Sequence, residues 1–317
     1  NHLTSARAGG LLTHLGSYGG DTQAIALNGQ YAYVAEGLGL TVMDVSDPGR
    51  PLVVGRTPPF AILTVLAAAG DYVYAASELT SDLWVVDVAD PTAPVPVTSI
   101  ESSTIWSLST DGSYLYSAVF AYGLYIYDLA NPAAPQQVGY LDTGAFPATV
   151  TAQGNLVFVA DFNDGVAIVD ASNPAQPIEL ARIAITPPEQ TFAIAVTGDY
   201  LYTEYGGVVR VFDIGDPADP VEVGSVGLFG GALFIQVAGD VAYVGGGRSI
   251  STIDFANPAA PQVLATHEAE HWLHDMALVG DHLFIAAEES GIWSYDMSEP
   301  AAPAPAGRYP TVATIGV

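Results

Sequence analysis

The feature that most constrains the fold is a repeated motif in which an aspartate is followed four residues later by a proline. The motif occurs seven times at spacings of 41 to 43 residues, and a second proline follows three residues after the first, as in Pro48 and Pro51. The leading residues are Asp44, Asp87, Asp128, Asp170, Asp213, Asp254 and Asp296. A regular period of this length indicates that each copy is one supersecondary unit of a repeat architecture.

Each repeat predicts four short strands. In the first copy these are residues 23–28, 31–35, 40–44 and 51–56, which alternate or are apolar and are separated by glycine and proline turns. The connections are too short for crossover helices, so neighbouring strands must be antiparallel. Seven such units predict an all-β fold, a β-propeller of seven blades with four antiparallel strands each. We expect one domain over residues 1–317.

Both ends of the chain carry an additional strand-like segment. Residues 11–18 resemble a fourth strand without a preceding blade, and residues 311–317 resemble a first strand without a following one. Two hypotheses account for them. Either the two segments pair and close the ring, which would remove open sheet edges, or the chain derives from an eight-bladed parent. Seven copies of the third-strand motif favour seven blades over eight.

The third strands resemble those of a known family. The segments LTVMD, LWVVD, LYIYD, VAIVD and VRVFD are similar to the LVIVD repeat of bacterial and archaeal surface propellers, over about residues 20–310. The sixth and seventh copies depart from the pattern, with STID and WSYD in place of the apolar run. The resemblance implies a propeller in an extracellular or cell-surface setting. It supplies no catalytic residues that could be transferred to this chain.

Charge and composition exclude several classes of function. The chain has 34 acidic residues, seven arginines, no lysine and a net charge of −27, which argues against binding nucleic acid or anionic lipid through a basic patch. No apolar run is long enough for direct membrane insertion. Cysteine is absent, so disulfides and thiolate metal sites are excluded. The sequence starts at Asn1 without a leader, so for a secreted protein we expect a signal peptide to have been removed already.

Aromatic residues recur where a fourth strand leads into the next first strand. In propellers of this kind the first strand lines the central channel, and these connections share one face with the turns between second and third strands. That face usually carries function. The aromatic residues are Phe60, Trp106, Phe146, Phe192, Phe229 and Trp272. They either wedge between blades or line the channel mouth as a site for a glycan, a peptide or a partner protein.

Acidic residues concentrate in the turns between second and third strands. They are Glu36, Asp82, Asp161, Asp164, Glu204, Glu288 and Glu289. Solvated loops are one explanation, and binding of calcium or a basic partner is the other. The segment DFNDG at residues 161–165 has the spacing most similar to a calcium loop, although it is much shorter than a full one.

Residues 267–271 spell HEAEH, which matches the zinc-protease pattern H-E-x-x-H. That chemistry requires a helix, and here the segment joins a fourth strand to a first strand with no room for one. A protease is therefore disfavoured. A non-helical metal site of His267, Glu268, His271 and His274 is an alternative to free imidazoles in an exposed loop. No cofactor is firmly implied; calcium is a candidate, and zinc is not favoured.

These observations predict a non-enzymatic extracellular or cell-surface module that binds a protein or glycan partner, for which a basic partner would suit the charge. The residues aligned at the channel mouth are mostly uncharged and dissimilar, which favours binding over catalysis. They are Gln23, Thr64, Trp106, Ala148, Phe192, Leu233 and His274. One alternative is a metal-dependent hydrolase or lyase with its site at the channel mouth. Another is a structural subunit that packs laterally in a surface assembly.

Overall fold

The computed structural model describes residues 22–77, 80–144, 146–186, 188–228, 231–287, 291–300 and 304–309. These residues form 27 strands in seven antiparallel sheets, which are the blades. The described residues include no helix that is long and apolar enough to span a membrane.

Blade one contains β1 (Thr22–Asn28), β2 (Tyr31–Glu36), β3 (Gly39–Asp44) and β4 (Leu52–Arg56), and blade two contains β5 (Val65–Ala69), β6 (Tyr72–Ser77), β7 (Thr80–Asp87) and β8 (Val95–Glu101). Blade three contains β9 (Ile105–Thr110), β10 (Tyr114–Val119), β11 (Gly123–Asp128) and β12 (Gln136–Leu141), and blade four contains β13 (Pro147–Gln153), β14 (Leu156–Asp161), β15 (Gly165–Asp170) and β16 (Ile178–Ile183). Blade five contains β17 (Thr191–Thr197), β18 (Tyr200–Tyr205), β19 (Val208–Asp213) and β20 (Val221–Gly227). Blade six contains β21 (Phe234–Ala238), β22 (Val241–Asp254) and β23 (Gln262–Leu273), and blade seven contains β24 (Asp275–Val279), β25 (His282–Ala286), β26 (Ile292–Asp296) and β27 (Ala304–Tyr309).

The predicted all-β propeller of seven four-stranded blades is confirmed. Each sheet is a meander in which every strand pairs with the next strand along the chain. Blade six fills the same four positions with three strands, because β22 is continuous. Its residues 241–245 pair with β21, and its residues 247–254 pair with β23. Gly247 lies at this changeover with a φ of 60°, in the left-handed region that glycine tolerates best.

The ring closes between blade seven and blade one. The seven first strands contact one another in order around a central axis, and β24 of blade seven contacts β1 of blade one. A seven-bladed ring is therefore complete without an eighth blade. The segments 11–18 and 311–317 lie outside the described residues, so both hypotheses about their origin stay predictions.

Hydrophobic packing between neighbouring blades forms the core. The buried side chains fall into seven clusters, and each cluster joins residues of two adjacent blades. At the closing junction, Ile25 and Val34 of blade one pack with Ala277 and Phe284 of blade seven. Because burial of apolar surface is the dominant favourable contribution to folding, these clusters bind each blade to its two neighbours.

The repeated aspartates have the structural role that their sevenfold occurrence predicts. In every blade, Oδ1 of the aspartate that ends the third strand accepts the backbone N–H of the residue two positions on, at 2.7 to 3.0 Å. Where that residue is a serine, hydrogen bonds from it lower the pKa of the carboxyl group, as at Asp44, Asp170 and Asp296. The bond starts the proline turn that leads into the fourth strand.

Glycines in the fourth strands allow neighbouring blades to approach closely. A Cβ atom added at Gly139 in β12 would collide with the carbonyl oxygen of Pro174, which lies in the proline turn of the next blade. Equivalent pairs are Gly55 with Pro91 and Gly224 with Pro258. The absence of a side chain at these positions lets the turn of one blade rest on the outer strand of another.

Candidate binding face

The seven first strands enclose a central channel of about 540 Å³. Each first strand is the inner edge of its sheet, so unpaired backbone groups face the channel and need hydrogen-bond partners. Side chains of the neighbouring blade supply some of them. Ser107 Oγ in β9 accepts the N–H of Val150 at 3.1 Å, and Ser109 Oγ accepts the N–H of Ala152 at 3.2 Å.

The same kind of bond also satisfies backbone carbonyl groups. Thr149 Oγ1 in β13 donates to the carbonyl oxygen of Phe192 at 2.5 Å, and Gln236 Nε2 in β21 donates to that of Met276 at 3.3 Å. Hydroxyl and amide groups therefore link successive blades along the channel wall. The wall is polar, and its side chains are held in place.

Asp275 makes the corresponding bond at the closing junction. It occupies the position in β24 that Ser107 occupies in β9, and its Oδ2 accepts the N–H of Ile25 in blade one at 3.0 Å. Its Oδ1 accepts the N–H of Met276 at 2.8 Å. Burial raises the pKa of Asp275 to about 6, although both hydrogen bonds act in the opposite direction. Of the described residues that line the channel, Asp275 alone carries a carboxylate.

Five aromatic side chains form a continuous arc beside the channel mouth, across blades three to five. We call Trp106, Phe120, Phe146, Phe162 and Phe192 the aromatic arc. Successive ring centroids lie 5.3, 5.2, 6.5 and 4.8 Å apart in that order. All five side chains are half-buried, so each contacts its neighbours and also reaches solvent.

A buried ion pair fixes the loop that carries Phe146. The carboxylate of Asp161 is fully buried; its Oδ1 accepts the N–H of Phe146 at 2.8 Å, and its Oδ2 lies 3.3 Å from Arg182 Nη1. Arg182 Nη2 donates to the carbonyl oxygen of Thr143 at 2.7 Å and to Glu179 at the same distance. Burial raises the pKa of Asp161, and the bonds from Phe146 and Arg182 oppose that rise.

These contacts change the interpretation of the acidic turns. Asp161 directs both oxygens to protein donors, so the calcium-like segment DFNDG uses its first carboxylate to hold the fold. Glu204 is also buried, and its oxygens accept the N–H groups of Gly207 at 2.7 Å and Ala232 at 3.2 Å. Burial raises the pKa of Glu204. The loop face is thus less acidic than the sequence indicated, while Asp164 stays exposed.

The other predicted aromatic residues have different surroundings. Phe60 packs edge-on against Trp84 with ring centroids 5.1 Å apart, which fits the expectation of a wedge. Trp272 is 55% exposed, and its indole lies close to Gly247. Phe229 lies outside the described residues. Exposed apolar side chains also occupy turns and connections of this face, namely Leu38, Ile62, Tyr122 and Leu233.

The histidine segment is extended and not a loop. Residues 262–273 all belong to β23, so the absence of a helix in HEAEH is confirmed and the expectation of an exposed loop is wrong. His267 is buried and Glu268 is exposed on the opposite side of the strand. His274 lines the channel, and the side chain of His271 lies outside the described part. The described residues contain no group of three or more His, Asp or Glu side chains placed to hold a metal ion.

The family model of the LVIVD repeat matches seven segments that together cover nearly the whole chain. The segments are residues 19–57, 65–101, 104–143, 148–184, 190–227, 230–266 and 274–311. The chain belongs to the LVIVD repeat family. No curated protein matches this LVIVD propeller.

Two solved structures share the fold of the LVIVD propeller. The computationally designed protein Ika8 has a TM-score of 0.65 at 12% identity, over 90% of this chain and 99% of its own. The periplasmic gluconolactonase PpgL of Pseudomonas aeruginosa has a TM-score of 0.67 at 14% identity, over 78% of this chain and 85% of its own. At these identities the similarity concerns the fold alone.

Two members of the aromatic arc in this LVIVD propeller were not among the predicted site residues. Phe120 follows the second strand of blade three, and Phe162 follows the second strand of blade four, one repeat later. Their repetition at equivalent positions was a usable signal. Asp275 was missed because a single acidic residue in a strand gives no indication that it faces a channel.

Proposed function

We propose that this LVIVD propeller is a non-enzymatic module that binds a protein partner through its loop face, outside the cell or at its surface. The observation that carries this proposal is the aromatic arc beside the channel mouth, with Trp272 and other exposed apolar residues on the same face. Aromatic residues are enriched at the centres of protein interfaces, and contiguous apolar patches on a soluble surface mark interaction sites.

The support beneath the arc strengthens this proposal. Asp161 accepts the N–H of Phe146, and Arg182 donates to the carbonyl oxygen of Thr143, so both residues are bonded to the fold in the absence of a ligand. A rigid aromatic surface loses little conformational entropy on binding, so more of the contact energy is available as affinity. The polar groups of the channel wall are engaged in bonds between blades, which suits a scaffold better than a reacting centre.

The test compares three forms of the protein as bait for the cell-surface fraction of the organism that produces it. The double variant Trp106→Ala/Phe162→Ala disrupts the arc, and Tyr140→Ala alters an exposed aromatic residue on the outer strand β12. Circular dichroism must show that all three are folded. A partner of this face is captured by wild type and by Tyr140→Ala, and lost with the double variant.

A captured protein is accepted as a partner only if, once purified, it binds the wild-type propeller directly. We expect the double variant to weaken that dissociation constant by about a thousandfold, since aromatic hot spots contribute about 2 kcal/mol or more each. Equal capture by all three forms would contradict a role for the arc. A glycan array with the same three forms tests the glycan alternative, and protease treatment of intact cells tests the surface location.

A hydrolase is the second candidate, and one arrangement favours it. His274 and Asp275 are consecutive residues on the channel wall, and the gluconolactonase that shares the fold hydrolyses a lactone by its name. Assays of sugar lactones with and without divalent cations test this candidate. Turnover that disappears in His274→Ala and in Asp275→Asn would establish an enzyme and displace the binding proposal.

A further inference from the structure

Asp275 is chemically different from the other members of its ring on the channel wall. The six equivalent positions of the other first strands hold neutral residues, namely Ala24, Val65, Ser107, Thr149, Ala193 and Phe234. A single negative charge therefore lies in an otherwise neutral ring, one residue below the mouth. The repeat does not explain why this one position carries a carboxylate.

The hydrogen bond that Asp275 makes does not require a charge. Ser107 accepts the N–H of Val150 in the same way that Asp275 accepts the N–H of Ile25, and a hydroxyl is sufficient there. Among the described residues, none of the ion pairs formed by arginine includes Asp275; they involve Glu36, Asp161, Glu179 and Glu222. Asp275 is half-buried, and its carboxylate accepts two backbone N–H groups but is not neutralised by any described arginine. Carboxylates whose pKa is shifted by burial in a cleft are enriched at functional sites.

The surroundings of this carboxylate suit a cation. The polar residues Thr64, Thr149 and Gln23 line the same channel, and no arginine does so among the described residues. Trp106 also lines the channel, and an aromatic ring can attract a cation. The net charge of −27 would draw a basic partner towards the protein as a whole. A channel of 540 Å³ is within the usual range of ligand sites, about 300–1,000 Å³.

We propose that Asp275 anchors a lysine or arginine side chain that a protein partner inserts into the channel mouth while its apolar residues contact the aromatic arc. This inference rests on the proposed binding function and specifies the partner for it. The arc supplies apolar contact area, and the carboxylate selects for a basic residue at one place. Such a charge gives specificity and a faster encounter more than it gives raw affinity.

The test uses blocked pentapeptides, Gly-Gly-Lys-Gly-Gly and Gly-Gly-Arg-Gly-Gly, with Gly-Gly-Gln-Gly-Gly as the neutral control. Binding is followed by nuclear magnetic resonance of the Trp106 indole N–H, assigned by its loss in Trp106→Phe. Asp275→Asn keeps an oxygen acceptor for the N–H of Ile25 and removes the charge. Asp240→Asn removes an exposed charge from the turn after β21, at the opposite end of the first strand from the mouth.

We expect the basic peptides to shift the Trp106 resonance and to bind about tenfold more weakly to Asp275→Asn, which corresponds to about 1.4 kcal/mol. Asp240→Asn should bind within about twofold of wild type, and the neutral peptide should bind about tenfold more weakly than the basic ones. Measurements at about 0.5 M salt suppress diffuse attraction, because the screening length there is only a few ångströms.

Three results would overturn the anchor. Equal weakening by both variants would indicate diffuse attraction to an acidic protein. Equal shifts with basic and neutral peptides would leave the loop face as a binding surface without a charged anchor, and so separate this inference from the proposed function. If spermidine occupies the site at a lower concentration than the lysine peptide needs to half-saturate it, the site serves a small polyamine. The proposal of a protein partner is then wrong.

Discussion

Arg182 Nη1 lies 3.3 Å from Oδ2 of Asp161, while the other oxygen of that carboxylate accepts the N–H of Phe146. The carboxylate is completely buried, and the guanidinium group is the cation that pairs with it. A buried ion pair of this kind gives little net stability against an apolar replacement, but removal of one partner leaves an uncompensated charge. The loop that carries Phe146 therefore depends on a residue near the end of a different strand.

Replacement of Arg182 by methionine should lower the free energy of unfolding by about 2–4 kcal/mol. The guanidinium group lowers the pKa of Asp161, so its loss makes the ionised carboxylate more costly. The destabilisation should therefore be larger at pH 8 than at pH 4.5, where more of Asp161 is protonated. Urea unfolding at both pH values measures it. Arg56→Met removes a more exposed ion pair with Glu36 and should change stability by about 1 kcal/mol or less.

Replacement of Asp275 by asparagine should stabilise the protein at neutral and alkaline pH. The folded-state pKa of about 6 lies above the ordinary value of 3.8, so the folded state holds this proton more tightly than the unfolded chain does. Ionisation therefore reduces stability as the pH rises from about 4 to 6. We expect Asp275→Asn to exceed wild type by about 1–2 kcal/mol at pH 8, with the difference disappearing below pH 4.

The difference in the free energy of unfolding between Asp275→Asn and wild type is taken at each pH. It cancels most of the contribution of other groups whose pKa is raised by burial, such as Asp161 and Glu204. His274 adjoins Asp275, so the effect of its imidazole on the pH dependence of stability is measured separately with His274→Ala. A variant less stable than wild type at pH 8 would contradict the raised pKa and show that the ionised carboxylate stabilises the closing junction.

Replacement of Gly139 by alanine should destabilise the junction between blades three and four. The added methyl group would collide with the carbonyl oxygen of Pro174, and relief of such overpacking costs about 1–3 kcal/mol. Gly227 lies in the fourth strand of blade five, and an added Cβ there meets no atom within 4 Å. Gly227→Ala should stay within about 0.5 kcal/mol of wild type. Thermal unfolding of both variants measures the difference, and similar destabilisation by the two would contradict the close approach.

Calcium should not stabilise the segment at residues 161–165. Both oxygens of Asp161 already accept bonds from protein groups, so the first ligand of a calcium loop is engaged. We expect the same thermal midpoint in calcium and in magnesium at equal ionic strength, because only screening of the net charge of −27 then operates. A midpoint several degrees higher in calcium, abolished by Asp164→Asn, would show that the segment binds the ion.

The fold could be predicted because several independent features of the sequence repeat with the same period. The period of about 42 residues, the Asp turns and the alternating strands all indicate the same blade. Asp170 is an example, because it ends a third strand and accepts the N–H of Ser172 in the turn that follows. The seven copies also favoured seven blades over eight, and the structure has seven. Periodic local signals of this kind need no knowledge of distant contacts.

The site could be predicted only in part, because its contacts cross between distant segments. Trp106, Phe146 and Phe192 were identified, while Phe120 and Phe162 join them only once the ring brings second-strand turns beside the channel mouth. Arg182 and Asp161 are 21 residues apart and meet through the pairing of strands. His267 was expected in an exposed loop and is buried, because β23 continues far beyond the usual end of a fourth strand.

Every described sheet consists of strands that follow one another directly in the chain. A protease that cuts a connection between two blades would therefore leave all described strand pairings intact. The fragments would stay associated through the apolar clusters at the junctions, and the cut would become visible only after denaturation. The same property makes a circularly permuted chain, restarted at any such connection, able to rebuild the same blades.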